Sequence, residues 1–129
     1  MKKIKNNLAS FLAMVILFSF AQCQGKNDKD TINPTNAINY VGKVKTVCGS
    51  VANANYASRS RGGPTFINLD KPYPNQVFTI LIWDSDREKF SQPPEKMYRG
   101  KNICVSGKII VYRGVAEIII KDPKQIVIH

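Results

Sequence analysis

From Val41 onward the chain is strand-like almost throughout. Five runs rich in β-branched and aromatic residues, VGKVKTVCGSVANA (41–54), TFINLD (65–70), VFTILIW (77–83), NICVSGKIIVY (102–112) and VAEIIIK (115–121), alternate with clusters of Gly, Pro, Ser and Asp. That punctuation belongs to sheets, and it implies a small all-β barrel or sandwich. The first run is long and carries Gly42 and Gly49, which relieve curvature in a bent strand. KPYPN (71–75) holds two prolines, which excludes a helix or a central strand. Only DSDREKFSQPPEKMYRGK (84–101) breaks the pattern. There Ser91, followed by Gln92-Pro93-Pro94-Glu95, predicts an N-cap and one short helix. Arg113-Gly114 is tight enough for a hairpin, and DPKQIVIH (122–129) turns and adds a short closing strand.

The 129 residues hold one domain, preceded by residues of a different character. Lys2, Lys3 and Lys5 stand before an uncharged, mostly apolar run from Leu8 to Phe20, so residues 1–21 read as an export signal. The run is short for a membrane span, which needs ~20 apolar residues. Two processing routes fit it. Ser19-Phe20-Ala21 satisfies a small-x-small rule and would free Gln22; alternatively Cys23 is a lipidation site and the polar residues after it tether the domain to a membrane. Residues 22–39 have little to bury and are expected to form a disordered linker, with the folded domain at 40–129. The expected location is exported: periplasmic, secreted or lipid-anchored to the envelope.

Charge narrows the class of partner. Residues 40–129 contain fourteen Lys and Arg against seven Asp and Glu. A basic domain favours anionic polymers, nucleic acid first.

Three strands, a short helix and a hairpin are the element order of the OB-fold, a five-stranded Greek-key barrel with, here, one short helix between strands three and four. The strings TVCGSV (46–51), YASRSRGGPTFINLDKPYPNQVFTILIW (56–83), YRGKNICVSGKI (98–109) and YRGVAEIIIKDPKQI (112–126) resemble the small bacterial OB-fold domains described as nucleic-acid binding. The resemblance spans nearly all of the domain. It implies a non-catalytic module whose ligand, single-stranded nucleic acid or another anionic polymer, lies across strands two and three between two flanking loops.

Those loops carry Arg59 and Arg61 on one side and Tyr112-Arg113 on the other, so three guanidinium groups are expected to clamp one groove. Alternation along strand two turns Ile67 and Leu69 to the core and Phe66 and Asn68 to the groove. Phe66 then either stacks a base or closes an end of the barrel, while Asn68 reaches a base edge. VFTILIW is apolar on both faces. Either Phe78, Ile80 and Ile82 point inward and leave Trp83 accessible, or the reverse. Tyr73 and Tyr56 are further groove candidates, and Lys71, Arg87 and Lys101 add phosphate attraction.

Alternation also sets Cys48 and Cys104 on the outer face of strands one and four, which are neighbours in an OB barrel. In an oxidising compartment they can form a cross-strand disulfide; reduced, they would pack as small hydrophobes. Catalysis finds little support. His129 is the lone histidine, the carboxylates of Asp84-Ser85-Asp86-Arg87-Glu88 fit polar turn chemistry better than a metal loop, and neither a nucleotide-cofactor fingerprint nor a catalytic triad is legible. Two readings remain: a nucleic-acid-binding module without catalysis or cofactor, and an envelope domain that holds a protein or glycan. Oligomeric state is open in both.

Overall fold

The computed structural model describes residues 28–129. The expected export signal and the processing sites at Gln22 and Cys23 lie outside the described residues, and so does the first part of the expected linker.

Strand β1 is a two-residue piece, Thr31–Ile32, and β2, Val44–Tyr56, is the long strand around which the sheet is arranged. The first half of β2 pairs antiparallel with β5 (Asn102–Lys108), and its second half pairs antiparallel with β3 (Thr65–Leu69). A register shift between Val51 and Asn53 separates the halves. Such a bulge bends a strand, so one strand serves two partners. Gly49 is required nearby, because a Cβ there would lie 2.7 Å from both Asp70 Oδ1 and Pro34 Cγ.

From β3 the sheet continues to β4 (Phe78–Ile82), which runs parallel to β7 (Val115–Ile119); β7 in turn pairs with β6 (Ile110–Tyr112). β8 (Ile126–Ile128) adds to the outer side of β5, and β1 lies parallel to β2. The hydrogen-bonded order is β6-β7-β4-β3-β2-β5-β8.

The fold is therefore mostly β, with eight strands where five are expected. One difference is a division: the fourth expected strand is split at Ile109, whose N–H donates to the Lys43 carbonyl and whose carbonyl accepts from Gly42 N–H. The others lie at the termini: β1 was not expected, and β8 is the short closing strand read in 122–129. The single expected helix is also two separate turns, α1 (Asp84–Arg87) and α2 (Pro94–Met97). Ser91 caps neither, since Pro93 holds the N-cap position of α2 with its φ already fixed for helix entry.

Alternation builds the core. Val47, Ile67, Leu69, Phe78, Ile80, Ile82, Ile103, Val105, Ile109, Ala116, Ile118 and Ile120 are all fully buried. Phe78, Ile80 and Ile82 thus point inward, the first of the two alternatives for that strand. Phe90 and Tyr98, packed edge to face at 6.2 Å between centroids, extend the core beneath the two helical turns.

Residues 28–39 differ from the disordered linker expected of them. Asn33 accepts from Asn36 N–H at 2.9 Å and starts a 3-10 segment, Pro34–Tyr40, in which Pro34 and Ala37 are buried. A polar average over this stretch conceals the few apolar side chains, Ile32, Pro34, Ala37 and Tyr40, that dock it on the sheet.

Cys48 and Cys104 stand directly opposite each other in the β2–β5 register, as alternation predicts, and are joined by a disulfide, the first of the two states left open for them. A bond of this kind persists in oxidising compartments and accords with an exported protein.

Candidate functional site

The same alternation that fills the core turns every second residue of β2, β3, β4 and β7 to the other face. There the register lines up Asn53, Asn68, Thr79 and Glu117 as one polar row across four strands. Thr79 Oγ1 donates to Asn68 Oδ1 at 2.7 Å, and Asn68 Nδ2 donates to Asn53 Oδ1 at 2.9 Å. Asn68 thereby spends both ends of its amide inside the row and is held rigid.

This row is the floor of a cleft of about 480 Å³, within the usual range for ligand sites. Phe66, paired with Asn55 across the β2–β3 ladder, forms one wall. Tyr73 stands at the rim from the proline turn, 71 % exposed, and Tyr112 from the β6–β7 hairpin, 58 % exposed. Arg113, also lining the cleft, takes φ +48° beside Gly114 at +79°, the left-handed pair that a two-residue hairpin turn needs. Its guanidinium lies 5.2 Å from the Tyr112 ring centre.

Two residues withdrawn into the cleft, Glu117 and Gln76, carry polar atoms without a partner among the described residues. Glu117 is 6 % exposed, and its carboxylate forms neither a hydrogen bond nor an ion pair among the described residues. Burial alone pushes its carboxyl above the usual carboxylate range. Gln76 Oε1 is buried with no donor facing it.

Of the residues singled out in the sequence, Phe66, Asn68, Tyr73, Tyr112 and Arg113 come together in this cleft. Tyr56, Arg59, Arg61, Lys71, Trp83 and Arg87 do not line it. Arg59 and Arg61 are exposed on the β2–β3 loop, which is folded by Ser60 N–H on the Ala57 carbonyl and Gly63 N–H on the Ser60 carbonyl, both at 3.0 Å. Trp83 lies flat on this loop: a Cβ at Gly62 would be 2.9 Å from its ring. It remains 37 % exposed there. The expected clamp of three guanidinium groups is thus reduced at the cleft to Arg113.

Arg87 is committed elsewhere. It makes a two-pronged ion pair with Glu95, at 2.5 and 2.8 Å, donates to Thr65 Oγ1 at 2.9 Å, and stacks 3.7 Å over the Tyr56 ring. The hydrogen bonds from Arg87 hold the Glu95 carboxyl below its ordinary range. Tyr56 donates to Asp84 Oδ1 at 2.7 Å, and that bond raises the phenol. Lys101 and Lys71 are exposed and away from the cleft.

Sequence reasoning missed Asn53, Asn55, Gln76, Thr79 and Glu117. A signal for one of them was present, since Glu117 is the lone charge inside the apolar run VAEIII. The carboxylates of Asp84 and Asp86 go to Tyr56 and Lys89 respectively. His129 Nε2 sits 2.9 Å from Cys104 Sγ. Among the described residues, Cys48, Cys104 and His129 make the group closest to a metal-ligand set, but its two sulfurs are bonded to each other.

No protein-family model matches the chain, and no curated protein matches it. Among solved structures it is similar to a Leishmania major Friedlin chain assigned to aspartyl-tRNA synthetase, at TM-score 0.49 and 13 % identity. That match covers 84 % of this chain and 22 % of the other. It is also similar to two OBodies bound to hen egg-white lysozyme. AM2EP06 gives TM-score 0.49 at 13 % identity over 75 % of this chain and 90 % of that one. AM1L10 gives 0.44 at 15 % over 70 % and 83 %. The chain spans about a fifth of the synthetase-assigned structure, and likenesses this distant carry no weight for ligand or activity.

Proposed function

We propose that the chain is an exported OB-type module that binds single-stranded nucleic acid without catalysis. The strand pairing supports the OB assignment. β2 pairs with β3 and β5, β3 with β4, and β4 runs parallel to β7. β6, the partner of β7, is separated from β5 by one residue, which supports reading the two as one strand that brings the order back to β2, as a five-stranded OB barrel requires.

The observation that carries the functional reading is the ring of accessible aromatic side chains, Phe66, Tyr73 and Tyr112, around an amide-rich floor on the face where OB domains take their ligands. Each base stacked on such a ring is worth ~1–3 kcal/mol, and stacking tolerates any sequence. Arg113 supplies a phosphate contact at the rim. Arg59 and Arg61 act at longer range on the approaching strand. The disulfide and the signal-like N-terminus support a location outside the cytoplasm, periplasmic, secreted or tethered through Cys23.

One observation favours the envelope protein or glycan reading: the cleft floor holds an acid, and one guanidinium alone borders it. Titration of a fluorescein-labelled ten-nucleotide single strand at two salt concentrations separates the two. Micromolar binding that weakens with salt, and weakens further in Arg113→Ala, supports nucleic acid. An absence of binding at low salt, in a protein that still binds an envelope glycan or peptide, transfers the cleft to the second reading.

A further inference from the structure

The unpartnered groups of the cleft share one property. The Glu117 carboxylate and Gln76 Oε1 are both hydrogen-bond acceptors without a donor among the described residues; the Gln76 oxygen is buried, and Glu117, 6 % exposed, opens onto the same cleft. No neighbouring side chain bonds to either of them: Asn68 turns one amide N–H to Asn53 and its oxygen to Thr79, whose single hydroxyl proton is used in that bond. Buried acceptors left unpaired are rare in folded proteins, and the cost is greatest for a charged one. Both line one cleft, where an occupant that brings donors would pair them.

Resting on the single-strand reading above, we infer that Glu117 and Gln76 form a base-edge pocket selective for guanine. Guanine carries two adjacent donors on its pairing edge, the ring N1–H and the exocyclic N2 amine, at the spacing of the two oxygens of a carboxylate. Adenine and cytosine each offer one amine beside a ring-nitrogen acceptor, which the carboxylate would oppose. Thymine and uracil offer one N–H flanked by two carbonyl oxygens, a poorer match still. The same acid disfavours a phosphate at this point of the cleft, so the strand enters base first, with its backbone toward Arg113. Phe66 and Tyr112 then hold the neighbouring bases without regard to sequence.

Anisotropy titration tests the inference with three labelled strands of ten thymidines in which one central position is guanosine, inosine or adenosine. Inosine keeps N1–H and lacks the 2-amine. The wild-type protein is expected to bind the guanosine strand about tenfold more tightly than the inosine strand, the usual scale for one two-pronged contact, and to disfavour adenosine at least as much. Glu117→Gln is expected to bring the guanosine and inosine strands to nearly equal affinity, and Gln76→Leu to narrow their gap. Equal wild-type affinity for guanosine and inosine strands overturns the inference while leaving the single-strand reading intact, and this comparison needs no variant to fold. A preference that survives in Glu117→Gln overturns it too. Failure of every strand to bind overturns both.

Discussion

Replacing Arg87 by alanine removes four contacts at once: two charge-assisted bonds to Glu95, one to the buried Thr65 hydroxyl, and the stack on Tyr56. The Arg87 and Glu95 side chains retain 16 % and 13 % of their exposure, so the pair is largely withdrawn from water but not sealed. Breaking a sealed pair costs ~3–5 kcal/mol and an exposed pair ~0–1. The geometry lies between, and we expect a loss of about 2–3 kcal/mol, or roughly 10–20 °C in melting temperature for a domain of this size. Arg87→Lys keeps the charge without the fork and should fall midway. The loss depends on pH. Glu95 has its carboxyl lowered by Arg87, so the pair's contribution is present above the ordinary value of 4.5 and disappears as pH falls through the lowered one. The gap between wild type and Arg87→Ala should therefore be full at pH 7 and shrink below about pH 4. Urea unfolding followed by circular dichroism measures it. A variant as stable as wild type at pH 7 that has instead lost oligonucleotide binding would refute the structural role and return Arg87 to the phosphate contacts for which its sequence position suggested it.

Removing the disulfide with Cys48→Ala/Cys104→Ala opens a link across a separation of 56 residues and should cost about 4 kcal/mol by loop entropy; unfolding with and without reductant should reproduce that difference in the wild type alone. Burial raises the Glu117 carboxyl, so the native chain holds that proton more tightly than the unfolded one, and stability falls as pH rises from about 4.5. Glu117→Gln should be more stable than wild type at pH 8, with the gap closing toward pH 4; a destabilised variant at pH 8 contradicts an unpartnered acid. Phe66→Ala and Tyr112→Ala should each weaken single-strand binding about 5- to 100-fold, and Tyr112→Ala, at a site 58 % exposed, should leave the melting temperature unchanged.

Much of the sheet was legible because its period-two signal is strong. Ile67 and Leu69 against Phe66 and Asn68, and Cys48 opposite Cys104, follow from alternation once neighbouring strands are paired. Strand breaks were less legible. Ile109 looks like any other residue of NICVSGKIIVY, and only its hydrogen bonds to Lys43 and Gly42 divide the run. The 3-10 segment at Pro34–Tyr40 escaped because a few buried side chains, not an average, decide docking.

Site residues divide along the same line. Phe66, Asn68, Tyr73, Tyr112 and Arg113 were placed by alternation and by loop position, which are local. Arg59 and Arg61 rested on the same loop argument as Arg113, and Arg87 and Trp83 on residue type and position, none of which says which partner a side chain meets. For Arg87 that partner is Glu95, eight positions on, and for Trp83 it is the backbone at Gly62. Glu117 needed the parallel β4–β7 register, a pairing between distant segments that no local pattern reveals, whereas Thr79 follows from the β3–β4 register.

The most direct test of the central claim is a residue-resolved map of where a single strand touches the protein. In a ¹⁵N-correlation NMR titration with a ten-nucleotide strand, the largest shifts are expected on Asn53, Phe66, Asn68, Thr79, Arg113 and Glu117, with the Arg87–Glu95 cluster unmoved. Shifts confined to the 57–64 loop or to the outer face around Cys48, or no shifts at millimolar strand, would contradict it.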